Sequence, residues 1–232
     1  MNTVKHAAAW ALVLIAAGCA KTTVTNRESY SGSALARPDR IIVYDFAATP
    51  ADLPPGSQMQ LAAPDTPPAA EEIDVGRKLG AQVAEDLVKN IQKMGLPAVR
   101  SAGQPPARDG DLVLMGYFAS IDQGSAIKRM TLGFGSGSAE LKTVVEGYLM
   151  TDKGLRRLGS GQVDSSGGKM PGVAAPAVVA VATGNPIGLI VGGALKVGGE
   201  VTGRSTIEGS AERTAKEISD QLRVAFQRQG WI

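Results

Sequence analysis

Leu112-Val113-Leu114-Met115-Gly116-Tyr117-Phe118-Ala119-Ser120-Ile121 runs for ten residues without a charge. A strand with one wet face would alternate polar and apolar residues, so this one reads as a long apolar strand lying centrally in a sheet. Downstream, residues 139 to 151 do alternate. Leu141, Thr143, Val145, Gly147 and Leu149 share one face; Lys142, Val144, Glu146 and Tyr148 share the other. Asp152-Lys153-Gly154 supplies a turn into Leu155 to Val163, which makes an antiparallel hairpin.

Upstream, Arg40-Ile41-Ile42-Val43-Tyr44-Asp45-Phe46 is β-branched and aromatic and predicts another strand. Residues 47 to 70 are proline-rich and aperiodic and read as a surface loop. Val75, Leu79, Val83, Leu87, Ile91 and Met94 then form one apolar stripe at helical spacing, closed by Gly95. Leu96 to Arg100 is short and extended. A second helix is predicted from about Thr206 to Gln229, with Ile207, Ala211, Ala215, Ile218, Leu222 and Phe226 inward and Gly230 as its stop. The apolar end Trp231-Ile232 is expected to dock on the sheet. The resulting class is α+β: a mostly antiparallel sheet of four or five strands, covered by helices at 74–94 and 206–229, with an apolar hairpin projecting from it.

That hairpin is Pro171 to Leu195, a stretch of 25 uncharged residues rich in Ala, Val and Gly. Pro176 and Asn185-Pro186 divide it into two short arms around a turn. Gly184, Gly188 and Gly192 recur every four residues, a small-residue face that allows close helix approach, although Pro186 limits its helical part to Ile187 onward. Three readings stay open: a membrane-inserting or self-associating hairpin, an element packed on the protein's own sheet, or a mobile loop.

At the start of the chain, Lys5 and His6 precede the apolar run Ala7 to Ile15, and small residues lead to Cys19. This is the layout of a secretory signal. The run is too short for a permanent membrane helix, which needs about 20 residues. Ala16-Ala17-Gly18-Cys19 resembles the lipobox of bacterial lipoproteins, with Ala16 where leucine is usual. The resemblance implies that residues 1–18 are removed, that Cys19 takes a diacylglycerol, and, because Ala20 is not aspartate, that the protein reaches the outer membrane and faces the periplasm. The other reading is an ordinary secreted protein with a free thiol. Cys19 is the only cysteine, so an exported chain would carry an unpaired thiol unless it were acylated. Residues 19–39 read as a lipidated N-terminus and polar tether, and 40–232 as a single domain.

Composition narrows the functional classes. The net charge of +2 gives no basic stripe, and nucleic acid is not expected as a partner. His6 is the only histidine and falls in the signal, so neither a histidine triad nor a histidine-bearing metal site can be assembled. Gly133-Phe134-Gly135-Ser136-Gly137 is spaced G-x-G-x-G and leads into a strand, unlike a dinucleotide fingerprint, which opens a helix. Gly167-Gly168-Lys169-Met170 lacks the upstream glycine and the Ser or Thr of a phosphate loop. No cofactor is expected. Asp45, Asp111, Asp122, Glu146, Lys128 and Arg129 remain as acid/base or ion-pair candidates, with Asp122 and Arg129 the first pair to inspect.

Tyr44-Asp45-Phe46, the stretch Gly116 to Gly137, Met170-Pro171-Gly172 and Gly230-Trp231-Ile232 together resemble the DUF4410 family of bacterial lipoproteins, over about residues 38 to 232. Ile121 to Gly137, joining two strands, is the most specific stretch. The order of elements is also similar to the sheet-and-helix domain of curli-secretion and TolB-type periplasmic proteins, a likeness of architecture that carries no function. The expectation is a non-catalytic lipoprotein that binds or assembles with an envelope partner. The alternatives are a subunit of an oligomeric envelope complex, associating through the 171–195 arms, and an envelope hydrolase.

Overall fold

The computed structural model describes residues 20–54, 57, 59, 69–122, 139–167 and 206–232. Its strands are β1 (Lys21–Glu28), β2 (Ile41–Val43), β3 (Ala98–Arg100), β4 (Leu112–Asp122), β5 (Glu140–Thr151) and β6 (Gly154–Ser166). The helices are α1 (Ala70–Lys93) and α2 (Ile207–Arg228). All six strands form one sheet in the order β1-β6-β5-β4-β2-β3.

The α+β class and the two covering helices agree with the sequence, but the sheet is mixed and has six strands. β4, β5, β6 and β1 pair antiparallel, whereas β2 runs parallel to both β3 and β4. The reason lies in the connections. α1 carries the chain back along the sheet, so Ala98 enters beside Ile41 in the same direction, and the loop over 101–111 returns it again to Leu112, also beside Ile41. The expected hairpin is present, with Thr151 opposite Gly154 and Gly154 at φ +99°, a left-handed value that glycine adopts without strain.

Part of the stretch expected to be a tether is also a strand. Lys21–Glu28 pairs with β6, placing Val24 opposite Val163. Thr22, Thr23, Val24 and Thr25 are β-branched, and an edge strand buries only one face, so a Thr-rich alternation suffices where no apolar run stands out. The pairing slips between Thr25 and Glu28, and Asn26 takes φ +49° there, forming a β-bulge.

One face of the sheet carries both helices. The predicted α1 stripe is the buried one: Leu79, Val83, Leu87 and Ile91 are 3% exposed or less. They meet Ile41, Val43, Leu112, Leu114 and Leu141 in a core that α2 joins through Ile207, Ala211, Ala215, Ile218 and Phe226. Thr206 caps α2 by accepting from the Gly209 N–H at 3.1 Å, and Gly95 at φ +80° ends α1 as expected. Phe46 wedges between helix and sheet, its ring 6.1 Å from that of Phe118. Trp231 is buried against Phe226, with ring centroids 5.4 Å apart, while Ile232 stays exposed. The other face has a smaller cluster of Met59, Val113, Met115 and Tyr148, so Met59, with Leu53 beside it, packs on the sheet where a surface loop was expected.

Candidate functional site

The polar candidates fall into separate ion pairs. Arg40, preceding β2, donates from Nε to the Asp111 Oδ2 at 3.0 Å and from its terminal nitrogen to the same oxygen, while the Arg108 N–H donates to it at 2.8 Å. Burial acts to raise the Asp111 carboxyl, but the Arg40 and Arg108 hydrogen bonds outweigh it and hold it below the ordinary carboxylate range. Asp45 accepts from Arg100 at 2.6 to 3.0 Å. Glu146 takes the Tyr148 hydroxyl and lies 3.0 Å from Arg157, which also holds Glu28. Burial, and then the Glu146 carboxylate, push the Tyr148 phenol well above its usual value. These groups tie loops and strands together. Among the described residues no three His, Cys, Asp or Glu side chains converge as metal ligands, and no helix is long and apolar enough to cross a membrane. Asp122 closes β4. Arg129, Lys128, Cys19, Gly184, Gly188 and Gly192 lie outside the described residues, so the Asp122–Arg129 pair and the apolar arm have no geometry here.

A cavity of about 180 Å³ lies between the sheet and the C-terminal half of α2. Its floor follows from glycines. Gly147 of β5 stands opposite Gly159 of β6, and the next inward position of β6, Gly161, stands opposite Val145. These positions share the face onto which Leu141, Thr143 and Val145 alternate, but a Cβ at Gly159 would lie 2.6 Å from the Glu28 carbonyl oxygen, so the end of β1 covers that glycine and the open floor is Gly147 and Gly161. A Cβ at Gly161 would meet nothing within 4 Å, and one at Gly147 only the Leu114 Cδ2 at 3.6 Å. Ile218, Leu222, Ala225 and Phe226 form the roof.

The chain between β1 and β2 closes one wall. Leu35 donates its N–H to the Gln229 Oε1 at 2.7 Å and accepts from the Trp231 Nε1 at 3.1 Å, pinning that strap to the end of the chain. Gln221 also lines the cavity, and its Oε1 is buried without a hydrogen-bond partner. The alternation in residues 139–151 was legible, but Gly147 and Gly161 were not read as one patch. Glycine inside a strand marks either a bare face, as at 147 and 161, or a close backbone approach, as at 159 beneath Glu28.

A second relationship concerns where segments leave the sheet. Lys21 pairs with Ser166, Ser166 with Glu140, and Glu140 with Asp122, one continuous row across β1, β6, β5 and β4. α2 starts beside this end: Arg213 donates to the Ser166 carbonyl at 3.3 Å and Thr214 to the Ser165 hydroxyl at 2.8 Å.

The sequence matches the family described as "Domain of unknown function (DUF4410)" over residues 41–184, more than half of its length, and the chain belongs to that family. None of the curated proteins matches it. Among solved structures, the PelC dodecamer from Paraburkholderia phytofirmans is similar in two crystal forms, each at TM-score 0.37. The first, a point variant, is 18% identical and covers 64% of this chain and 82% of that one; the second is 16% identical and covers 63% and 83%. Likeness at that level implies no shared assembly or activity.

Proposed function

We propose that this chain is an outer-membrane lipoprotein facing the periplasm, cut before Cys19 and acylated there, that acts as a non-catalytic binding or assembly module of the cell envelope. The observation that carries the reading is the row Lys21, Ser166, Glu140 and Asp122. Cys19 precedes Lys21 by two residues, and two extended residues reach at most about 7 Å. A lipid on Cys19 therefore holds that end of the sheet against the bilayer, where a free tether would have let the domain stand off.

Both distinctive segments of the sequence begin and end at the same end of the domain. Residues 123–138 depart from Asp122 and return to Glu140; residues 168–205 depart after Ser166 and return at Thr206, close to where Arg213 reaches Ser166. Anchored this way, the family-like stretch and the uncharged 171–195 stretch meet lipid or a membrane-bound partner. Burying an uncharged run of that length there is favourable, whereas leaving it in water is not. The recurrence of Gly184, Gly188 and Gly192 supports a second reading, an oligomeric subunit whose arms associate.

Membrane fractionation of the exported wild type, Cys19→Ser and a chain lacking residues 171–195 tests the proposal. Release of Cys19→Ser into the soluble fraction is expected and leaves 171–195 as a partner surface. Retention of Cys19→Ser until 171–195 is also removed makes that stretch a second membrane contact. A wild type that is soluble after export overturns the lipoprotein reading. The mass of the solubilised protein, with and without 171–195, separates monomer from assembly.

A further inference from the structure

We propose that the glycine-floored cavity binds the end of an aliphatic chain whose anionic head sits at the rim between Arg27 and Arg228. The hollow is smaller than the roughly 300–1,000 Å³ usual for a whole small-molecule ligand, so it holds a segment. A cavity of about 150 Å³ lined by Leu, Ile and Phe takes up benzene, so this one has room for roughly six carbons. Leu114, Val145, Val163, Ile218, Leu222 and Phe226 supply the apolar lining for such a segment.

The charge at the rim comes from the β-bulge. With an extra residue at Asn26, the inward alternation that includes Val24 resumes at Arg27 in place of Glu28. Arg27 then lines the cavity together with Arg228 from the end of α2. Glu28 is the only carboxylate among the lining residues, and its side chain is turned to the other face and held by Arg157. Neither Arg27 nor Arg228 has an ion-pair partner among the described residues. Two guanidiniums at the mouth of an apolar hollow select a carboxylate or phosphate joined to a hydrocarbon chain.

Trp231 lines the cavity, and the only other tryptophan is Trp10. In the chain from residue 19 with Cys19→Ser, kept free of detergent, Trp231 is therefore the sole indole; every contact described above is made by residue 20 onward. Saturable quenching of Trp231 by 6-bromohexanoate is expected, with weaker quenching by the uncharged 6-bromohexanol. Gly161→Leu fills the hollow and weakens the acid tenfold or more without lowering the thermal midpoint. Should that variant fail to fold, Gly147→Ala narrows the same space with only an ordinary contact to Leu114. The double variant Arg27→Gln, Arg228→Gln weakens the acid several-fold and leaves the alcohol unchanged. Displacement by dihexanoyl phosphatidic acid assigns the head to a lipid phosphate; its failure assigns a free carboxylate. Absence of saturable quenching at millimolar acid, or quenching unaltered in the filled variants, overturns the site. Equal binding of acid and alcohol overturns the role of the arginines.

Discussion

The ring of Phe46 occupies the space that a side chain at Gly116 would need: a Cβ there would come within 2.2 Å of the Phe46 Cε1. On the other side of the same residue, a Cβ at Gly80 would lie 2.1 Å from the Phe46 carbonyl oxygen. Replacing glycine by alanine inside a helix ordinarily gains about 1 kcal/mol. Gly80→Ala and Gly116→Ala are instead expected to lose about 2 kcal/mol each, because α1 or the Phe46 ring must move. Urea denaturation beside Gly147→Ala as a near-neutral control checks this. A Gly80→Ala variant as stable as wild type would show that the helix does not approach Phe46 this closely.

Asp111 is 5% exposed and its partner Arg40 closes the entry to β2. Asp111→Asn is expected to cost about 3 kcal/mol at neutral pH, since Arg40 is left without its counter-charge. The folded carboxyl titrates below its unfolded value, so the ion pair contributes fully above about pH 4. It is lost as pH falls through the depressed folded value. The stability gap between wild type and Asp111→Asn should therefore narrow on acidification. A gap independent of pH from neutral to strongly acid would contradict it.

Tyr148 behaves in the opposite sense. Its phenol is held neutral by burial and by Glu146, so the folded value lies above the unfolded one, about 10. The corresponding stability is present below that pH and declines as pH rises toward the folded value. Ultraviolet titration should find one of the four tyrosines resisting ionisation until the protein unfolds, and Tyr148→Phe should abolish that step. All four titrating together in the folded protein would be the contrary result.

Trp231 joins the C-terminus to the strap at Leu35. Trp231→Ala is expected to cost about 3–5 kcal/mol, from lost packing against Phe226 and a widened cavity. Trp231→Phe keeps most of the bulk but leaves the Leu35 carbonyl without its donor, for about 1 kcal/mol. Thermal unfolding of the pair orders them, and similar losses for both would assign the docking to the hydrogen bond alone.

The helices were legible because both bury a single stripe, and Val75 to Met94 or Ile207 to Phe226 cannot be arranged otherwise without exposing it. The strand at 112–122 was legible because its middle is wet on neither side. β1 was hidden by threonine, a residue that reads equally as tether or edge strand until Val163 is known to lie beneath Val24. The parallel pairing of β2 with β3 follows from the return through α1 and was missed because both strands are only three residues long, while the Pro-containing loop over 101–111 that brings β4 beside β2 carries no direction. Asp45, Asp111 and Glu146 were identifiable as charges, but the arginines that pair with them are 11 to 71 residues away, and no local spacing announces Arg40 for Asp111 or Arg157 for Glu146.

The bulge in β1 also governs how copies of this chain can meet. Among the described residues the sheet ends on two edge strands: β1, interrupted at Asn26 and bearing Lys21, Arg27 and Glu28, and β3, only three residues long and ending in an arginine committed to Asp45. Neither offers more than one short run of regular backbone, five residues in β1 before the bulge and three in β3, on which a neighbour's strand could continue the sheet. Growth by strand addition is thus disfavoured at both of these strands, which turns contact between copies toward the faces of the domain.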